Sequence, residues 1–287
     1  MKESIKKYQF KEGMKLEFEI LDLGQILQLK EDMMKVPHRA QFYHVLWIEK
    51  GHGTHYVDFK PVPIEDNSII FIPFNSVNVY DFDGSYEGKV ILFTDSFFCK
   101  NNDDHQFLHS SILFSDLYDT TKMRFQLKGS DLKISINSME AEYKKSLDSA
   151  QYQLLHNMLH IFLLQAEREI KQQGFNELKP SVQLDQLLAF KSLLEKQYRE
   201  EKSVKYYASE LHLSEKQLNK ATTSILDKTP KQIIDERVLL ESKRLLAHSS
   251  QSVKEIAYDL GYDEPTNFIK YFKKHVLHTP SEFRDQF

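Results

Sequence analysis

At 287 residues the chain exceeds the usual single-domain size of roughly 100–200 residues, so two domains with separate cores are expected. Cys99 is the only cysteine, which excludes intramolecular disulfides, zinc knuckles and CxxC redox chemistry. The net charge is −4, and residues 181–287 carry 17 Lys/Arg against 16 Asp/Glu, so a uniformly basic nucleic-acid-binding domain is excluded. Any contact to DNA has to come from local clusters on one face.

The residues after Met1 include the charged Lys2, Glu3, Lys6 and Lys7 in place of an apolar signal segment, and no apolar run of about 18 residues is present. A soluble cytoplasmic protein with no membrane partner is the expectation. Cys99 is expected to pack in the interior and not to react.

Between residues 42 and 94 the sequence reads as short β-branched and aromatic runs, FYHVLWIEK, THYVDFK, SIIFIP, VNVYDF and KVILFT, broken by turn residues. This predicts an all-β unit, a small sandwich or jelly roll, with Gly51-His52-Gly53 at a hairpin and Pro73-Phe74-Asn75 before the next strand. Over 152–172 the period changes. Leu155, Met158, Leu159, Phe162, Ala166 and Ile170 recur at three-to-four spacing, which predicts an amphipathic helix. Leu154, Ile161, Leu163 and Leu164 widen its apolar stripe, so one side can face the β unit while the other meets a second subunit, or the whole stripe can pack within one chain.

Residues 173–180, QGFNELKP, combine a helix stop with a proline and read as a linker between a domain at 1–172 and one at 181–287. The second domain contains an internal repeat of about fifty residues. VKYYASELHLS from Val204 aligns with VKEIAYDLGYD from Val253, matching Val204/Val253, Lys205/Lys254, Ala208/Ala257 and Leu211/Leu260. After one extra residue in the second turn, Leu218 pairs with Phe268, Lys220 with Lys270, and Thr229-Pro230 with Thr279-Pro280. Each copy reads as helix, tight turn, helix. Ser252-x-x-Glu255 is a capping box, Gly261 supplies a turn, Pro265 suits a first-turn position, and Ser214 caps the corresponding helix of the first copy. Between the copies Thr229-Pro230 opens a long helix predicted to run to about Leu246.

These residues resemble the C-terminal domain of the AraC/XylS-type regulators, above all through IAYDLGYDEPTNFIKYFKKHVLHTPSEFR at 256–284. The resemblance implies two helix-turn-helix units joined by a long helix, promoter DNA and RNA polymerase as partners, and a regulator, taken here as an activator. Departures from the family pattern are Lys220 where Arg is common, Thr222 for a core Phe, and Asp227 and Leu277 where Gly is common. On the two recognition helices, Glu215, Lys216, Asn219, Lys220 and Thr223, then Thr266, Asn267, Ile269, Lys270, Lys273 and Lys274, are spaced to face a groove. Asn pairs bidentately with adenine and Lys reaches guanine, whereas Lys273 and Lys274 are expected on phosphates.

VPHRAQFYHVLWIEKGHG at 36–53 and IIFIPFNSVNVY at 69–80 resemble the family's cupin-type sensor domain. The overall expectation is therefore an α+β two-domain chain: a cupin-like β-barrel or jelly roll with helices, then an all-α DNA-binding domain. An effector pocket is expected near His38, His44 and Trp47. Ala40, His44 and Asn78 stand where metal-binding cupins place ligands, so no metal is expected. His52 and His55 are expected to be exposed. A cupin enzyme, a repair methyltransferase acting through Cys99 and a pure interaction module are the competing readings. No GxGxxG, Walker loop, HExxH or GxSxG motif supports an enzyme or a cofactor.

Overall fold

A computed structural model describes residues 6–8, 10, 16–29, 35–81, 86–115, 117, 120–125, 130–175 and 178–287. The chain separates into a β-rich unit, Lys6–Glu177, and a helical unit, Leu178–Phe287.

The β-rich unit holds two five-stranded sheets. One runs β1 (Lys6–Tyr8), β3 (His38–Ala40), β8 (Val77–Asp81), β5 (Gly53–Val57), β6 (Lys60–Ile64). The other runs β10 (Lys122–Arg124), β7 (Ser68–Ile72), β4 (Tyr43–Lys50), β9 (Glu87–Phe93), β2 (Phe18–Asp22). The described pairings are antiparallel except the parallel β1–β3 pair. Side chains alternate along a strand, so Leu46, Ile48, Ile70, Ile72 and Val90 turn toward Val57, Val62, Ile64 and Tyr80 of the opposite sheet. Their neighbours Tyr43, Val45, Trp47, Ile69, Phe71, Ile91 and Phe93 turn the other way. There they pack on α2 (Asp95–Phe98), α3 (Asn102–Ser110), α4 (Asp131–Tyr143) and α5 (Gln151–Gln172); α1 (Leu23–Leu29) follows β2. A strand covered on both faces needs apolar residues on both, which is why the middle of β4 (VLWI) and most of β7 (IIFI) read as continuous apolar runs.

Two turns differ from expectation. Gly51-His52-Gly53 is no hairpin, because β4 pairs with β7 and β9 while β5 belongs to the other sheet. The segment crosses between sheets, and Gly51 is required because a Cβ there would lie 2.3 Å from the Tyr86 ring. The hairpin instead interrupts THYVDFK at Asp58-Phe59, both at positive φ, with Val57 paired to Lys60. The Asp58 carboxylate accepts from Val77 N at 3.0 Å, which offsets the unusual backbone.

The helical unit comprises α6 (Val182–Gln197), α7 (Val204–Glu210), α8 (Glu215–Leu226), α9 (Pro230–His248), α10 (Val253–Asp259), α11 (Pro265–Val276) and α12 (Pro280–Arg284). Capping boxes start α8 (Ser214, Gln217), α9 (Thr229, Gln232), α10 (Ser252, Glu255) and α12 (Thr279, Glu282). At α9 lies a buried charge cluster. The fully buried Glu241 carboxylate stands 3.5 Å from Arg237, 3.2 Å from Arg244 and 3.5 Å from Arg199. Arg237 also meets Glu195 of α6 at 2.5 Å and lies over the Tyr198 ring at 3.8 Å. Removing one member strands its partners' charge in the interior. Glu241→Ala is therefore expected to destabilise the helical unit by about 3–5 kcal/mol, read as a shifted urea midpoint of the helical circular dichroism signal.

Candidate nucleic-acid interface

Each repeat copy folds as a helix-turn-helix, α7–α8 and α10–α11, and α9 connects them. At 19 residues α9 spans about 28 Å at roughly 1.5 Å per residue. The first turn places His212 at φ 55° and the second places Gly261 at φ 71°. Only glycine fits the second turn, because a Cβ would meet Arg199 O at 2.0 Å. That close approach fastens the second turn to the end of α6, where Lys202 Nζ donates to Arg199 O at 2.8 Å and lies 4.8 Å from the Tyr262 ring. The Tyr271 hydroxyl of α11 reaches Asp235 of α9, 3.1 Å from both its carbonyl and its carboxylate oxygen. The two recognition helices are thus braced on one frame.

Leu218, Ala221 and Thr222 of α8, and Phe268 and Phe272 of α11, turn inward and are buried. Helical periodicity then puts Glu215, Lys216, Asn219 and Lys220 on the exposed side of α8, and Thr266, Asn267, Lys270, Lys273 and Lys274 on the exposed side of α11. Thr223 and Ile269 are half-buried at the edges of these faces, and the Thr223 hydroxyl donates to Asn219 O at 2.7 Å. The α11 face carries three lysines and no acid, whereas Lys216 and Lys220 on α8 share their face with Glu215. Asp227 (φ 52°) and Leu277 (φ 65°) take the left-handed conformation at the helix C-caps, where the resemblance places glycine. The backbone geometry survives both substitutions. Thr222 is buried where a Phe is common, its hydroxyl donating to Asn219 O at 3.1 Å.

In the β-rich unit His38, His44 and His55 are buried. They converge between the sheets: Asn78 is paired with His38 across β3–β8, and its Oδ1 lies 3.0 Å from His55 Nε2. Asn78 Nδ2 donates to Ser76 O at 3.1 Å, so its Oδ1 must accept from His55, leaving the His55 Nδ1 lone pair facing inward without a partner. His38 Nδ1 donates to Val36 O at 3.0 Å, and His44 Nδ1 has no hydrogen-bond partner among the described residues. The Tyr80 ring lies 4.2 Å from that of His55 and the Phe42 ring 4.9 Å from that of His44, both tilted.

This geometry corrects two expectations. Trp47 does not share a pocket with His44, because odd-numbered residues of β4 face the helices; its ring packs 3.9 Å from Phe125 and 6.5 Å from Phe162. His55, expected to be exposed, is fully buried, while His52 is exposed. A β-strand beginning at Gly53 directs residue 55 inward, a consequence hidden by reading 51–53 as a hairpin tip. Cys99 is half-buried, and burial, with Asp95 and Asp104 nearby, pushes its thiol up to about 12. Among the described residues no cluster of three or more His, Cys, Asp or Glu is arranged to hold a metal, and no helix is long and apolar enough to cross a membrane.

Burial lowers the proton affinity of all three histidines, that of His55 from 6.5 to about 3. Above pH 6.5 they are neutral in the folded and unfolded chain alike. Below it the unfolded chain takes up protons first, so stability falls as pH drops from about 6.5 toward 3. The β-rich unit of wild type is expected to lose stability over that window, and His55→Gln to flatten the loss, as read by thermal unfolding at successive pH values.

The helix-turn-helix domain family matches residues 207–286. The chain is 21% identical over 253 residues to the HTH-type transcriptional activator RhaS of Citrobacter koseri, covering 86% of each protein. It is 22% identical over 254 residues to RhaS of Enterobacter sp. strain 638, again covering 86% of each. Among solved structures, ToxT from Vibrio cholerae aligns with 94% of this chain and 95% of its own at 16% identity and a TM-score of 0.46. An AraC-type DNA-binding domain from Chromobacterium violaceum aligns with 36% of this chain and 91% of its own at 26% identity and a TM-score of 0.33.

The duplicated helix-turn-helix, matched over 207–286 by the helix-turn-helix domain family, and the alignment over 86% of each chain with relatives named as transcriptional activators define a DNA-binding transcription regulator. Within that class, the pattern at 256–284 and the long connecting helix are similar to those of the AraC/XylS-type regulators.

Proposed function

We propose that this regulator activates transcription by seating α8 and α11 in successive major grooves of promoter DNA, in response to a small effector. The observation that carries this reading is the pair of exposed polar faces on recognition helices held by a single frame. Successive grooves lie about 34 Å apart, a span that α9 plus the width of the flanking units can cover. Glu215, Lys216, Asn219, Lys220 and Thr223 read one groove; Thr266, Asn267, Ile269 and Lys270 read the other; Lys273 and Lys274 hold phosphates. The activator direction is supported by the two RhaS relatives, whose names give them as transcriptional activators, and an activator in this reading works through contact with RNA polymerase.

In this reading residues 1–172 sense and dimerise, 173–180 link, and 181–287 bind DNA in the cytoplasm, without enzymatic activity. The buried acceptor nitrogen of His55 favours an effector that donates a hydrogen bond, and His38 and His44 complete the polar group. The outer face of α5 favours a homodimer: Leu154, Ile161 and Leu164 are exposed, with Leu154 and Ile161 seven residues apart. Sedimentation equilibrium is expected to give a concentration-dependent dimer for wild type and a monomer for the Leu154→Glu, Ile161→Glu double variant. A wild-type monomer at every concentration overturns the dimer.

The DNA reading is tested by titrating the protein against a duplex carrying the region upstream of its own gene and against a scrambled duplex. Wild type is expected to prefer the upstream duplex, and Asn267→Ala and Lys270→Ala each to lose about 1–3 kcal/mol of that preference. Equal binding of both duplexes by all three proteins overturns sequence-specific recognition there.

A further inference from the structure

The first helix of each repeat copy matches at four positions, and packing accounts for three of them. Ala208 and Ala257 are buried where the helices meet, Leu260 is buried and Leu211 half-buried in the same cores, and Val204 and Val253 are half-buried. Packing does not account for the fourth match. Lys205 and Lys254 are both exposed, and among the described residues no ion pair engages either one; Lys254 Nζ lies 5.9 Å from the Tyr258 ring.

Their location makes the repetition more telling. Each lysine is the second residue of its helix, in the turn where the helix dipole disfavours a cation. A lysine retained twice in a locally unfavourable position, doing no work inside the fold, points to an anion outside it. The backbone groups at the start of α10 are not what would bind that anion, since Ser252 and Glu255 already cap them. The ammonium groups remain. In a helix-turn-helix the first helix crosses the DNA backbone while the second enters the groove, which brings exposed cations on the first helix toward phosphates. The residues from 181 onward sum to only +1, so phosphate binding has to be supplied by individual lysines set on the right face.

We propose that Lys205 and Lys254 are equivalent phosphate contacts, one per helix-turn-helix, that set each unit on the DNA backbone without reading sequence. The inference rests on the DNA-binding reading and adds two residues on α7 and α10 to the faces of α8 and α11. A phosphate contact on each copy doubles as a register mark, because the equivalent residue is anchored in each unit.

The test is the salt dependence of binding of the full chain to the upstream duplex and to a scrambled duplex of equal length. Wild type is compared with Lys205→Ala, Lys254→Ala, the double variant and the Lys205→Arg, Lys254→Arg pair. The slope of log K against log salt is expected to flatten by about 0.9 for each alanine and by about twice that in the double variant, on both duplexes. The ratio between duplexes stays unchanged, the arginine pair keeps the wild-type slope, and thermal stability does not fall. A double-alanine variant with the wild-type slope overturns the proposal. So does a changed ratio between duplexes at constant slope, which would make these base-reading residues, or a drop in melting temperature with constant slope, which would make them structural. Failure of wild type to bind either duplex would overturn the DNA reading itself, an outcome distinct from all of these.

Discussion

The helical unit depends on a carboxylate that water does not reach. Glu241 sits on the one helix both repeat copies share, and the three guanidinium groups around it come from α9 itself and from the end of α6. An ion pair of this kind need not make a protein more stable than a well-packed apolar substitute would, but it admits few alternative geometries. Here it is continuous with the contact that fixes the second turn. Arg199 gives its guanidinium to Glu241 and its carbonyl to the surface on which Gly261 rests. Two recognition helices on a flexible connection would bind as tethered modules, whereas on this frame their separation is decided before DNA arrives.

The β-rich unit uses one sheet twice. Its β10-β7-β4-β9-β2 sheet is covered by the other sheet on one face and by helices on the other, and both interfaces are built from neighbouring residues of the same strands. The buried histidines occupy the face between the sheets, in surroundings of aliphatic and aromatic side chains that hold them neutral. With His38 Nδ1 and His55 Nε2 committed as donors, the other ring nitrogens of these two neutral imidazoles are acceptors at defined points.

Much of the helical unit was legible in the sequence because its signals are local. Capping residues, a turn glycine, a first-turn proline and a repeat each specify structure within a few positions, and Ser214, Thr229, Ser252 and Pro265 all stand where such signals place them. Even Asp227 and Leu277, which break the glycine pattern, take the backbone conformation glycine would have taken. The β-rich unit was legible only as strands. Which face each strand residue occupies depends on pairing across distant segments, and a continuous apolar run such as VLWI at 45–48 gives no phase. Trp47 and His44 could therefore be grouped in sequence although they point to opposite layers. Asp58-Phe59 escaped notice because its turn lacks glycine and is held by a side-chain contact to Val77, 19 residues away.

The single residue by which the second turn exceeds the first has a consequence for how a site on DNA is oriented. The two units are copies in plan but not in detail: one turn holds His212, the other Gly261, and one recognition helix bears mixed charge while the other bears only lysines. A chain bound across two grooves consequently has a head and a tail. Its half-sites cannot be exchanged, and inverting the sequence under it would turn the molecule end for end, carrying every other surface to the opposite side of the start of transcription.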